Sequence, residues 1–303
     1  MGCELDHDIF GNSARTVQVF DGVNTVLVVG ATGNVGRQVV AQLNAKGVPT
    51  RALARDPESS EFPEGVQVVR GDLAEPESLA AAADGVESVF LVWPFHGTEG
   101  AAEVLKVLGG HARRVVYLSS TTVNDEGPQS DLIPELHAGM EALLAESGVP
   151  WTVLRADTIA SNALGWAGQI RAGDVVRGTE VAPTAVVHEG DIAAVAVELL
   201  TDHSHTGRTY LVTGPRVVGR ADQVQAIGEA LGRSLRFEAL PLDVARESMT
   251  RAGLPARLIA SLLSMAEFRP PSDLVTTTVA ELTGRPARDV RDWAAENAVA
   301  FRA

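Results

Sequence analysis

Through the first half of the chain, short unbroken apolar runs alternate with segments in which apolar residues recur every three or four positions. The runs at 25–29, 49–54, 66–70, 86–92, 113–119 and 150–155 read as strands, and the periodic segments at 34–46, 75–83, 98–110 and 132–147 read as helices. Strands without polar alternation are covered on both faces, so helices must flank them. The pattern predicts an α/β fold with a doubly wound, mostly parallel sheet. In such sheets a ligand sits in the crevice at the carboxyl ends of the strands.

Beyond Arg155 the pattern changes. Residues 156–188 are rich in glycine and polar residues, and Asp191 is placed to cap a strongly apolar helix starting at Ile192. A strand is expected at 209–212, with helices at 220–231, 242–252, 255–266 and 287–300. The expected organisation is an extension over 1–22, a nucleotide-binding domain over 23–155, and a smaller substrate lobe over 156–303 interleaved with the core.

Composition removes several classes of function. Among 303 residues, 39 acidic against 25 basic side chains give a net charge of −14. Nucleic acids and anionic membrane surfaces select the opposite balance. Cys3 is the single cysteine, so no intramolecular disulfide or cysteine metal cluster can form, and no metal site is expected. No apolar run reaches a membrane span. Residues 1–22 carry Asp6, Asp8 and Asp21 without an apolar segment, unlike a signal peptide. The expected location is the cytoplasm, the expected partner a small-molecule substrate, and the chain is a candidate homodimer.

The densest chemistry lies at Gly30-Ala31-Thr32-Gly33-Asn34-Val35-Gly36, between the first strand and the first helix. Strand, glycine-rich turn and helix in this order form a dinucleotide-binding fingerprint of the Rossmann type. Gly30 permits the tight turn, Gly33 keeps the backbone open to a pyrophosphate, and Gly36 lets helix and strand approach. The helix N-terminus then offers free N–H groups and a positive dipole end.

The ends of the following strands supply the other candidate contacts. Arg55 closes the second strand where an NAD-selecting protein places an acid on the ribose. An arginine there suits a 2′-phosphate, so NADP(H) is the expected cofactor. Asp56 is a second candidate for a ribose hydroxyl or a turn starter, and Arg51 shares Arg55's strand parity. Asp72 either accepts from the adenine amino group or caps a helix, and Leu73 is placed to pack on the ring. Val92 and Trp93 end the fourth strand on the crevice side. Ser119 ends the fifth, facing the nicotinamide or the substrate.

These runs, with Arg51-Ala52-Leu53-Ala54-Arg55-Asp56-Pro57 and Gly71-Asp72-Leu73, resemble the NmrA-like atypical short-chain dehydrogenase/reductases. Gly148-Val149-Pro150-Trp151-Thr152-Val153-Leu154-Arg155, Asn162 and His188-Glu189-Gly190-Asp191-Ile192-Ala193 resemble later motifs of that group. The resemblance covers about 23–300. It implies reduction of a quinone, isoflavone or dye by NAD(P)H, although the group also holds nucleotide-sensing regulators, and a non-redox step on the same fold is a third possibility.

The wider superfamily uses a tyrosine four residues before a lysine. The two tyrosines here, Tyr117 and Tyr210, are followed at that spacing by Thr121 and Gly214. Relatives often carry a helix lysine four residues before a glutamate; the matching pair here is His137 and Glu141. His137 is therefore the candidate proton donor to a carbonyl or quinone oxygen, with Ser119 the second catalytic candidate. A helix-surface His–Glu pair explains the same letters. Phe95, Asn162 and Trp166, with Trp93 and Leu164, are candidates for a pocket around a flat apolar substrate. Arg155 and Asp191 are expected to pair as support between the lobes.

Overall fold

The computed structural model describes residues 24–270 and 272–302, so the expected extension over 1–22 lies outside the described residues. β1 (Val26–Val29) is buried at all four positions, as its uniform apolar sequence requires. The chain continues through α1 (Asn34–Ala45), β2 (Thr50–Ala54), β3 (Gln67–Arg70), α2 (Ala80–Ala83), β4 (Ser88–Leu91), α3 (Ala101–His111), β5 (Arg114–Ser120), α4 (Leu132–Glu146) and β6 (Trp151–Ala156). A 3-10 turn at Pro76–Leu79 forms the first part of the helix expected at 75–83.

With β8 (Arg208–Val212), these strands form a seven-stranded sheet in the order β3-β2-β1-β4-β5-β6-β8, and every pair is parallel. Strand succession reverses between β1 and β4, which opens the crevice of a doubly wound sheet there. Alternate strand residues feed two apolar layers. Val26 and Val28 pack with Val39, Val40 and Leu43 of α1, whereas Leu27 and Val29 pack with Leu105 and Leu108 of α3.

α6 (Glu189–Thr201) is buried along nearly its whole length, covering the sheet beside α1. A helix apolar on all sides belongs in a core. It starts two residues before the expected cap: His188 is the N-cap, and its Nδ1 accepts from the Gly190 N–H at 2.9 Å. Asp191 instead lies in the first turn, fully buried, and accepts from Arg285 at 2.7 Å and Arg288 at 2.9 Å. Burial opposes its charge, but the Arg288 backbone N–H and the two guanidinium groups outweigh it and hold the carboxyl below the ordinary range.

The expected Arg155–Asp191 pair therefore does not form. Strand parity explains why. Leu154 and Ala156 face the α6 layer, so Arg155 projects to the other face, with Val153, toward α4. There it binds Glu141 and Asp125.

The second half contributes β8 to the central sheet and builds its own small core. A two-stranded parallel sheet, β7 (Val175–Gly178) with β9 (Arg236–Ala239), was not expected from the pattern, because both strands are short and half-exposed. α5 (Ala167–Ala172), α7 (Arg220–Leu231), α8 (Leu242–Arg251), α9 (Ala256–Phe268), α10 (Thr278–Thr283) and α11 (Val290–Glu296) complete the chain. Trp293 of α11 is fully buried against Phe301. Among the described residues, no helix is long and apolar enough to cross a membrane.

Candidate active site

The turn after β1 has the backbone its glycines predict. Gly30 has φ +84°, and the Gly33 N–H returns to the Gly30 carbonyl at 3.0 Å. A Cβ on Gly36 would lie 2.1 Å from the Gly30 oxygen, so only glycine lets α1 approach β1 this closely. Thr32, Gly33 and Asn34 are exposed at the crevice, while Val35 is buried beneath them. Among the described residues no side chain caps α1, and its first turn holds no acidic residue. Free N–H groups and an uncompensated positive dipole end therefore face solvent, an arrangement suited to a pyrophosphate.

Arg55 is exposed at the end of β2, and its guanidinium has no partner among the described residues. Arg70 stands beside it, and Arg37 stands beside the glycine turn. Arg70 donates to the Arg55 carbonyl at 3.0 Å, and Arg37 donates to the Thr32 carbonyl at 2.8 Å. The sequence reading missed both, although Arg70 immediately precedes Gly71-Asp72-Leu73. In a chain of net charge −14 these cations are a local exception suited to a 2′-phosphate. Arg51 is not available to help: its guanidinium is bound to Gln67 and to the carbonyls of Ala82 and Asp84.

Asp56 is exposed, and its carbonyl closes a turn with Ser60. Asp72 accepts from the Ala74 N–H at 2.9 Å, an Asx turn ahead of the 3-10 segment rather than a helix cap, and its second oxygen is left over. Leu73 is buried with Leu53 and Leu79.

At the end of β4, Val92 packs against Gly30, where a Cβ would meet the valine Cβ at 2.9 Å. Trp93 is buried, donates to the Gly97 carbonyl at 2.8 Å and meets Phe95 edge-to-face at 5.0 Å. Phe95 is thus tied to the β4 end.

At the end of β5, Ser119 is buried and donates to Glu141 of α4 at 2.5 Å. Arg155 grips the same carboxylate at 2.6 Å and Asp125 with a two-pronged contact at 2.6 and 2.7 Å. Its hydrogen bonds to Asp125 and Glu141 raise the Arg155 pKa further, and Arg155 in turn lowers that of Asp125. Glu141 is therefore engaged by Ser119 and Arg155, and does not form the helix-surface pair with His137.

His137 instead meets Tyr117 of β5, Oη to Nδ1 at 2.9 Å. Burial lowers its pKa from 6.5 to about 4, with Glu141 opposing. The ring is neutral at pH 7, so the candidate proton donor is an uncharged imidazole. Burial also pushes the Tyr117 phenol well above its ordinary value.

Asn162 and Trp166 come together on the 3-10 turn after β6. They line a cavity of about 290 Å³ with Arg220, Gln223 and Arg269. Leu164 points into the small apolar core instead. A second cavity of about 290 Å³, lined by Thr121, Asp131, Asp157 and Phe268, shares Met265 and Arg269 with the first. Arg269 reaches Asp157 at 2.9 Å across this shared wall.

Residues 30–203 match the model of a family described as NAD(P)H-binding. The chain is 41% identical over 281 residues to the (4-alkanoyl-5-oxo-2,5-dihydrofuran-3-yl)methyl phosphate reductase of Streptomyces griseus, spanning 91% of this chain and 99% of that one. It is 33% identical over 284 residues to the NAD(P)H azoreductase of Xenophilus azovorans, spanning 92% and 99%. Its fold matches the triphenylmethane reductase of Citrobacter sp. complexed with NADP(H), with a TM-score of 0.74 at 20% identity, over 90% and 99% of the two chains. The glycine turn, the family match and these full-length relatives agree: the chain belongs to the NAD(P)H-binding family as an NmrA-like atypical short-chain dehydrogenase/reductase, an oxidoreductase that uses NAD(P)H.

Proposed function

We propose that the protein uses NADPH to reduce a small conjugated carbonyl or quinone-like compound. One observation carries the reading. The open phosphate turn of β1, the Trp93 end of β4 and the Ser119–Glu141–Arg155 network of β5 and β6 all stand at the carboxyl edge of one parallel sheet. The Streptomyces griseus relative is named for a substrate whose ring double bond is conjugated to the ring carbonyl, which supports this class.

Gly30, Thr32, Gly33, Asn34, Val35 and Gly36 hold the pyrophosphate, Arg55 the 2′-phosphate, Asp72 and Leu73 the adenine, and Val92 and Trp93 line the nucleotide's path. The bound nicotinamide supplies the hydride. Hydride addition to a conjugated system leaves charge on the carbonyl oxygen, which needs a hydrogen-bond donor and then a proton. His137 is the donor in this reading. It acts as a neutral imidazole oriented by Tyr117, not as an imidazolium, so its N–H hydrogen-bonds the developing oxyanion and the proton itself is taken from solvent. Ser119, whose proton is held by Glu141, lines the site beside the reacting carbonyl. Phe95, Asn162 and Trp166 contact the substrate.

The test is NADPH oxidation against a panel of enones, unsaturated lactones and quinones, with product identified by mass. His137→Gln should lower turnover by roughly 10²-fold while NADPH affinity stays within a factor of about two. Normal turnover in that variant removes His137 from the mechanism. Tight NADPH binding with no oxidation across the panel favours a nucleotide sensor.

A further inference from the structure

The cavity holding Asn162 and Trp166 has an unusual charge balance. Among the described residues its charged lining residues are Arg220 and Arg269, and no carboxylate lines it. Arg269 is already engaged by Asp157. Arg220 is different. Its guanidinium lies 5.9 Å from the centre of the Trp166 ring, and its Nη1 stands where a Cβ on Gly178 would be 3.3 Å away. Among the described residues it has no hydrogen-bond or ion-pair partner. Burial lowers its pKa below the ordinary guanidinium value, with Glu180 opposing.

A half-buried cation without a partner is costly unless something else supplies the charge. Gln223, buried one turn along α7, and Asn162 also have side-chain amides without partners among the described residues. The Arg220 guanidinium, the buried Gln223 amide and the exposed Asn162 amide thus line one space beside an aromatic face. A guanidinium fork flanked by neutral donors matches the oxygens of a phosphate group, which it grips in two-pronged fashion.

We propose that this cavity seats a phosphate monoester carried by the substrate, with Arg220 as the gripping residue and Asn162 and Gln223 as supporting donors. The inference rests on the reductase reading for the word substrate, but the cavity's preference for phosphate can be judged without turnover.

The experiment is calorimetric titration of the NADP⁺-saturated protein with phenyl phosphate, benzoate and phenol. Saturation keeps the probes from the glycine turn and from Arg55. The unmutated protein should bind phenyl phosphate and not phenol. Arg220→Gln should weaken phenyl phosphate by about tenfold or more. Arg220→Lys and Gln223→Leu should weaken it less, and Arg216→Gln, at an exposed arginine paired with Asp289, should change nothing. Retained NADP⁺ affinity certifies that each variant is folded. If Arg220→Gln does not fold, Arg220→Lys and Gln223→Leu decide the matter.

Phenyl phosphate binding that ignores all three cavity substitutions overturns the proposal. Benzoate binding as tightly as phenyl phosphate overturns it too, since the site would then take carboxylates. Failure of NADPH oxidation on every panel compound removes the reductase reading and leaves these binding results to stand or fall alone.

Discussion

Gly33 and Gly36 are three residues apart, yet their substitution should fail in opposite ways. Gly33 has φ −79° and ψ 169°, an extended backbone that a β-branched residue adopts readily. A Cβ there would lie 3.3 Å from the Gly30 oxygen, so a shift of a few tenths of an ångström accommodates it. Gly33→Val should cost the fold about 1 kcal/mol, the scale of a weakened N-cap. Its side chain would then stand where the pyrophosphate approaches the α1 N-terminus. NADPH affinity should fall by about 100-fold or more, equivalent to about 2.8 kcal/mol.

At Gly36 the added Cβ would sit 2.1 Å from the Gly30 oxygen and 2.7 Å from its carbonyl carbon. Both atoms are backbone, so α1 must back away from β1 by more than a side-chain adjustment allows. Gly36→Ala should lose about 3 kcal/mol of stability, the upper end of ordinary overpacking. Urea denaturation and nucleotide titration by fluorescence read the two effects separately. Unchanged NADPH affinity in Gly33→Val would refute the phosphate-turn assignment. Unchanged stability in Gly36→Ala would refute the packing argument.

Other outcomes follow from the same geometry. NADPH should bind at least about tenfold tighter than NADH, and Arg55→Ala should narrow that gap, because a charge-assisted contact to the 2′-phosphate is lost; titration with both nucleotides measures it. Arg155→Met should destabilise the fold by about 2–3 kcal/mol by leaving the half-buried Glu141 with Ser119 alone, whereas Asp125→Asn, whose side chain is 69% exposed, should cost less than about 1 kcal/mol. His137 has a folded pKa of about 4 against an ordinary 6.5, so the unfolded chain takes up its proton first as pH falls. Stability from this group is intact above pH 6.5 and is lost between 6.5 and about 4, by about 2–3 kcal/mol allowing for the ring's partial exposure. Denaturation of the parent protein and His137→Gln at pH 7 and pH 4.5 should show that difference, and turnover should lack a histidine limb near neutral pH.

The central sheet was legible because its strands are buried on both faces and carry unbroken apolar runs. The phosphate turn was legible because its glycines meet local backbone requirements, written in adjacent letters. Long-range polar pairing was not legible. Arg155 and Asp191 both stood out as charged residues in apolar surroundings, but which partner each finds depends on strand parity and on arginines about a hundred residues further on, Arg285 and Arg288. The Tyr117–His137 contact was hidden for a similar reason: it joins a strand to the following helix through a loop whose course no periodicity encodes. β7 and β9 escaped because four half-exposed residues each carry too little pattern to separate a strand from a loop. Arg220 was passed over among many arginines. Only the fold shows that it lines a cavity without a carboxylate.

The central claim is that the glycine turn and the β5–β6 network serve one reduction by NADPH. The most direct measurement uses NADPH deuterated at C4 of the nicotinamide, an unsaturated lactone or quinone from the panel, and mass analysis of the product. The account predicts NADPH consumption equal to product formed, with the deuterium in the product from one face of the ring only, and no transfer in Gly33→Val. NADPH that binds tightly but keeps its deuterium with every compound would contradict it.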